Sequence, residues 1–167
     1  MAGEFFVMER LFRLGHEPAL TLGNAKSIDI IVKTKSGDLK TVSVKAARGG
    51  GKWGVGSRDL SHDPNLIFVF LLYAKFEDPD TDPTVWVMPA AEVQAKKRRW
   101  INGWAIFYAH RDAAPKDLAA FRDRWDYLGN CSAATREPWG RPPPTTTKAR
   151  WPKRAFAFPA TRLTGER

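Results

Sequence analysis

From Asn65 to Ala74 the chain reads Asn-Leu-Ile-Phe-Val-Phe-Leu-Leu-Tyr-Ala, a near-continuous apolar run. A run of that length, rich in β-branched and aromatic residues, suits a strand buried on both faces, and such a strand belongs in the centre of a sheet. Layers must then cover the sheet from both sides. With 167 residues and 43% hydrophobic content, the chain can bury one good core and is too short for two ordinary domains.

The other elements are read around this strand. Residues 3 to 14, wound as a helix, place Phe5, Val7, Met8, Leu11, Phe12 and Leu14 on one broad stripe, with Glu9, Arg10 and Arg13 opposite. After the acidic turn Glu77 to Pro83, Thr84 to Met88 reads as a strand, and Pro89 opens a helix running to about Arg99. Trp104 to Tyr108 reads as a last strand. Pro115 to Leu128 reads as an amphipathic helix with Leu118, Phe121, Trp125 and Leu128 on one side, stopped by Gly129. The expected fold is α/β, a mixed sheet flanked by helices. Residues 1–130 are expected to form the domain and 131–167 a basic, proline-rich tail.

Candidate chemistry sits on a hairpin. Ser27 to Lys33 and Lys40 to Ala47 are both rich in β-branched residues, with Ser36-Gly37-Asp38 between them. Alternation puts Ile28, Ile30 and Val32 on one face and Val42, Val44 and Ala46 on an apolar face of the second strand, leaving Asp29, Ser43 and Lys45 off the apolar side. A turn centred on Gly37 sets Asp29 directly opposite Lys45. In isolation such a pair is a cross-strand salt bridge on a solvated face, worth about 0.2 to 1 kcal/mol. Glu4 adds a second acid. It falls near the middle of the apolar helical stripe, where a carboxylate caps the helix N-terminus, pairs with a cation or binds a metal.

The order Gly3-Glu4 on an opening helix, Gly15, Gly23-Asn24, Ile28-Asp29-Ile30 on a strand and Ser43-Val44-Lys45 on the next resembles the PD-(D/E)xK nuclease superfamily over about residues 3 to 108. The resemblance is to its members similar to Holliday-junction resolvases and restriction endonucleases. It implies a restriction-endonuclease-like fold, Mg²⁺ or Mn²⁺ as cofactor, DNA (duplex or branched) as partner, and a homodimer. It also implies catalytic roles for Glu4, Asp29, Ser43 and Lys45. Glu4, Asp29 and the backbone carbonyl of Val44 would hold the metal, and Lys45 would orient or activate the attacking water. Hard oxygen ligands suit Mg²⁺, which polarises a phosphoryl oxygen and acidifies a bound water. Position 43 departs from the motif, because the family has an acid or glutamine there and this chain has Ser43. Either the site is degenerate, or an acid such as Asp59 or Asp63 from the following loop replaces the missing one.

Charge points the same way. The net charge is +9, of which +6 lies from Arg136 onward, where eight Lys/Arg meet only Glu137 and Glu166. The stretch also carries Pro142-Pro143-Pro144, Thr145-Thr146-Thr147 and four aromatics, Trp139, Trp151, Phe156 and Phe158. It reads as an extended arm in which Lys148, Arg150, Lys153 and Arg154 contact phosphates and aromatics stack on bases; a solubilising tail or a dimer-wrapping arm has the same composition. Two further basic groups are expected at nucleic acid. One is the glycine-rich loop with Arg48, Lys52 and Arg58, also readable as a plain connector. The other is the helix end Lys96-Lys97-Arg98-Arg99, also readable as dipole compensation. Gly49, Gly51 and Gly54 match a dinucleotide-type spacing without the strand-turn-helix context it requires, so that site is rejected.

No run of about 18 apolar residues occurs, and Met1 to Gly15 carries acids and arginines through its apolar pattern, so neither a membrane span nor a signal peptide is expected, and the protein is expected to be cytoplasmic. The single Cys131 excludes an intramolecular disulfide, and the scattered His16, His62 and His110 give no zinc spacing. The leading expectation is a Mg²⁺-dependent endonuclease. Its alternatives are a nuclease-fold protein that binds nucleic acid or serves assembly without cleavage, and a protein-interaction module whose basic arm wraps a partner.

Overall fold

The computed structural model describes residues 1–21, 28–49, 51–101, 103–107 and 116–129, all within the unit Met1–Thr135. Helix α1 (Ala2–Arg13) is followed by strands β1 (Glu17–Leu20), β2 (Ile30–Lys33), β3 (Leu39–Arg48), β4 (Lys52–Gly54), β5 (Leu66–Tyr73) and β6 (Thr84–Pro89). Then come helix α2 (Ala90–Lys96), strands β7 (Arg98–Trp100) and β8 (Gly103–Phe107), and two 3-10 turns, Lys116–Phe121 and Trp125–Leu128. The expected tail, with Lys148, Arg150, Lys153 and Arg154, lies outside the described residues, as do Gly23-Asn24, Ser27 and Cys131. Among the described residues no helix is long and apolar enough to cross a membrane.

A five-stranded mixed sheet in the order β1-β2-β3-β5-β6 forms the centre of an α/β fold. The apolar run is β5, paired parallel to β3 and antiparallel to β6, and its residues Leu66 to Leu71 are all buried. Each face carries its own core. On one, α1 lays Val7 and Leu11 against Ile30, Val32, Val42, Val44, Ile67 and Val69. On the other, Phe68, Phe70, Trp86 and Met88 meet α2, the first 3-10 turn and a second, three-stranded sheet of order β4-β8-β7.

Helix α1 has an acid in its first turn (Glu4) and bases in its last (Arg10, Arg13), which complements its dipole. It closes with the His16 N–H on the Leu11 carbonyl (3.1 Å) and the Gly15 N–H on the Phe12 carbonyl (2.9 Å), Gly15 taking φ +81°. The contact face is narrower than the apolar stripe suggests. Gly3, Val7 and Leu11 are buried, whereas Phe5 and Phe12 are 55% and 58% exposed. Gly3 sets this geometry, because a Cβ there would lie 3.0 Å from both Ala46 Cβ and Leu71 Cδ1. The helix can approach β3 closely only without that carbon.

Three expectations are corrected. The glycine-rich connector contains β4, whose Trp53 is 2% exposed, packs on Phe70 and Trp86 and donates its Nε1–H to the Leu71 carbonyl (3.0 Å). The helix after Pro89 ends at Lys96, and Lys97 turns extended so that its Nζ reaches the Arg58 carbonyl at 2.7 Å. Arg98 and Arg99 therefore sit on a strand. Within the described part of the last expected helix, two 3-10 turns flank Asp123, whose φ is +52°. Its N–H donates to the Val85 carbonyl (3.2 Å), so pairing with the open edge of β6 outcompetes the continuous helical ladder.

Candidate functional site

Asp29 immediately precedes β2 and is fixed through its backbone from both sides. Its N–H donates to the Val42 carbonyl (2.9 Å), and its carbonyl accepts the Thr21 N–H (3.0 Å) and hydroxyl (3.2 Å). Thr21 follows β1, a strand of four residues that the sequence reading did not contain. The short β1 thus supplies one jaw of the clamp. Its only sequence signal is Glu-Pro-Ala-Leu, in which a proline masks the strand pattern.

The register of the hairpin differs from the expected one. Ile30 pairs with Val42 and Lys33 with Leu39, so the turn is the five-residue Thr34–Asp38 centred on Ser36. Gly37, at φ +94°, follows the turn's centre, while the Thr34 N–H donates to the Asp38 carbonyl (2.8 Å) and the Asp38 N–H to Thr34 Oγ1 (3.0 Å). Continuing that register sets Asp29 opposite Ser43, two residues short of Lys45. The turn type is responsible, since a longer loop moves the pairing without changing which residues share a face.

Asp29, Ser43 and Lys45 do share a face, the one whose β5 neighbours are Phe68 and Phe70. Asp29 Oδ2 accepts the Val44 N–H at 2.7 Å and the Ser43 hydroxyl at 3.3 Å, and Lys45 Nζ stands 4.0 Å away. Val44 lies past the start of β2, so its N–H takes a carboxylate where a strand carbonyl would otherwise be. The side chains of Asp29 and Lys45 are 27% and 30% exposed, while Ser43 is fully buried. This is a partly desolvated anion and cation, held by strands and open to one side.

Glu4 belongs to the layer on the opposite face of the sheet. Its carboxylate meets the Met1 amine at 3.3 Å. Gly3, its neighbour, is the point at which α1 touches Ala46, the residue after Lys45. A hollow of about 210 Å³ opens there, bounded by the first residues of α1, Ala46 to Arg48, Tyr73 and Phe76. The proposed replacement acids are occupied elsewhere: Asp59 accepts the N–H and hydroxyl of Ser61 (2.9 and 2.6 Å), which lowers its pKa, and Asp63 pairs with Arg58 at 2.5 Å. Among the described residues no group of three or more His, Cys, Asp or Glu could hold a metal ion.

The basic residues divide into two sets. Arg48 lies over the Phe76 ring and pairs with Glu77 (3.8 Å), Arg58 with Asp63, and Lys96 with Glu92 (3.9 Å). Lys97 is buried, its ammonium on the Arg58 carbonyl and 5.4 Å from the Trp104 ring centre, so it does not present a free charge to a partner. Lys52, Arg98 and Arg99 are exposed on the small sheet.

No protein-family model matches the chain, and no curated protein matches it. Among solved structures, that of a bacterial homing endonuclease, I-Ssp6803I, is similar at a TM-score of 0.49 and 18% sequence identity, covering 74% of this chain and 86% of that one.

Proposed function

We propose that this chain hydrolyses DNA phosphodiester bonds as a restriction-endonuclease-like nuclease, with Mg²⁺ or Mn²⁺ held at Asp29. What carries this reading is the convergence of the Asp29 carboxylate, the Lys45 ammonium and the Val44 backbone on one open, partly desolvated strand end. Mg²⁺ needs only one or two carboxylates, keeps several waters and takes further oxygens from a substrate phosphate. The donors here, Asp29 and the Val44 carbonyl, fit such an open site and do not fit an all-protein cage; Glu4, in the layer on the opposite face and on the Met1 amine, stands outside this set. Bound there with DNA, the ion would polarise a phosphoryl oxygen and stabilise the leaving oxygen.

The protein's own part is positioning. Asp29 keeps its second oxygen, Oδ1, for the ion, while Oδ2 is tied to Val44 and Ser43. Lys45 stands too far from that carboxylate for a direct hydrogen bond, and its ammonium orients the attacking water. The water oxygen bonds phosphorus as the opposite ester P–O bond breaks, in line; the water gives up a proton to solvent, and the leaving sugar oxygen takes one up. Ser43, neutral and buried, steadies Asp29 where the family's motif has an acid.

A second reading is favoured by Ser43 itself: a nuclease-fold protein that binds nucleic acid without cutting it. One experiment separates them. Plasmid and branched DNA are incubated with the parent protein and with Asp29→Ala in Mg²⁺ or Mn²⁺. Cleavage by the parent that the variant lacks supports the nuclease; equal cleavage by both sinks the site; DNA bound and left intact by the parent supports the second reading.

A further inference from the structure

The small sheet carries a surface that the hydrolytic site does not use. In its register Gly54 and Arg98 both face Ala105, Lys52 faces Phe107 and Trp100 faces Gly103, whereas Trp53 faces Ile106 and is buried. Alternation therefore collects Lys52, Arg98 and Trp100 on the outer face. Lys52 Nζ lies 3.9 Å from the centre of the Trp100 ring. Trp100 is 39% exposed and its neighbour Ile101 is 87% exposed. Two glycines on the same face, Gly54 and Gly103, leave room above the strands, where a Cβ would meet nothing within 4 Å, while Ala105 between Gly54 and Arg98 is covered.

Among the described residues no carboxylate neutralises the charge of this face. β4, β7 and β8 contain Lys52, Arg98 and Arg99 and no Asp or Glu. Unlike Arg48, Arg58 and Lys96, none of these three cations pairs with a carboxylate among the described residues. A tryptophan that is 39% exposed, beside cations that no described carboxylate pairs, matches a nucleotide, whose base offers a π-face and whose phosphate offers charge. Paired bases keep their faces inside the duplex stack, so the ring can take only a base that is unpaired or extruded.

We infer that the outer face of the small sheet binds DNA containing unpaired nucleotides, with Trp100 stacking on a base and Lys52 and Arg98 contacting phosphates. This deepens the proposed function, on which it rests for its choice of DNA, and gives it a substrate class: single-stranded or branched DNA in preference to plain duplex. A base entering against Trp100 displaces Lys52 from the ring and frees its ammonium for the neighbouring phosphate.

The test measures binding of a labelled oligothymidylate and of a duplex of equal length, by fluorescence anisotropy without divalent cations, so that cleavage plays no part. Parent, Trp100→Ala and Trp100→Phe are compared. The expected result is a loss of about 5- to 150-fold in oligothymidylate affinity for Trp100→Ala, largely restored in Trp100→Phe, with duplex affinity little changed. Unchanged oligothymidylate affinity in Trp100→Ala overturns the proposal. So does an equal loss on both DNAs, which would mean backbone contact without stacking. A parent that binds duplex alone refutes this inference and leaves the nuclease reading standing, whereas a parent that binds neither DNA removes both.

Discussion

Replacing Asp29 by asparagine and by alanine separates what the side chain does for the fold from what it does for chemistry. Its Oδ2 accepts the Val44 N–H at 2.7 Å, on a residue only 8% exposed. Asp29→Ala strands that N–H, at a cost of about 1 to 3 kcal/mol. The ion pair with Lys45, at 4.0 Å and roughly 30% exposure on each side, adds about 0.2 to 1 kcal/mol. Asp29→Asn keeps an oxygen for the Val44 N–H and gives up only the charge, for about 1 kcal/mol. The alanine variant should therefore unfold roughly 3 to 8 °C below the asparagine variant, measured by circular dichroism in one buffer. Metal-dependent cleavage should be lost in both, because a neutral amide is a poor Mg²⁺ ligand. Equal melting of the two variants would refute the role given to the Val44 hydrogen bond, and cleavage by Asp29→Asn at the parent's rate would refute the need for a carboxylate.

Two further perturbations probe the scaffold. Gly3→Ala puts a methyl group 3.0 Å from Ala46 Cβ and Leu71 Cδ1; overpacking of about 1 to 3 kcal/mol exceeds the gain of up to about 1 kcal/mol in helix propensity, so urea denaturation should show a net loss, and a stabilised variant would contradict the close approach of α1 to β3. His16 is 3% exposed, accepts the Lys35 N–H on Nδ1 at 3.0 Å and has no partner for Nε2 among the described residues; burial first and the Lys35 charge second lower its pKa below the usual 6.5. The unfolded chain then binds this proton more readily than the folded one, so His16 supports stability fully above pH 6.5 and progressively less as pH falls towards the lowered folded value. His16→Gln, which keeps an acceptor for Lys35, should flatten the fall in stability between neutral and mildly acidic pH, and an unchanged slope would assign that fall to other groups.

The parts of the fold legible in the sequence are those decided within a few residues. The apolar runs of β5 and β6 identify their strands because burial on both faces leaves a continuous pattern, and Gly15 marks the end of α1 because only glycine takes its φ easily. The parts that were not legible depend on distant partners. Lys97 leaves the helix for a carbonyl 39 positions earlier, Trp53 turns a glycine-rich connector into a strand by packing on Phe70 and Trp86, and Asp123 breaks a helical pattern to pair with β6. The small sheet joins β4 to β8 across the whole of β5, β6 and α2, so no local window contains it. Trp100 was hidden for the same reason, since Arg98-Arg99-Trp100 reads as a helix end until Lys97 turns inward.

The hairpin register matters most for the site. Alternation alone places Asp29, Ser43 and Lys45 on one face, but only the turn decides which of them Asp29 meets. Directly opposite each other, Asp29 and Lys45 would close into a plain cross-strand ion pair, each satisfying the other and leaving nothing to donate. The five-residue turn slides β3 by two residues, so the neutral Ser43 takes that place and Lys45 stands off at 4.0 Å. At that separation the ammonium makes no direct hydrogen bond to the carboxylate, which leaves room for a water to bridge the two. Ser43 therefore has two opposite effects: it removes an anionic metal ligand, and it keeps the lysine out of a closed ion pair. Which effect dominates decides between the cutting and the non-cutting reading, and it decides it at one side chain.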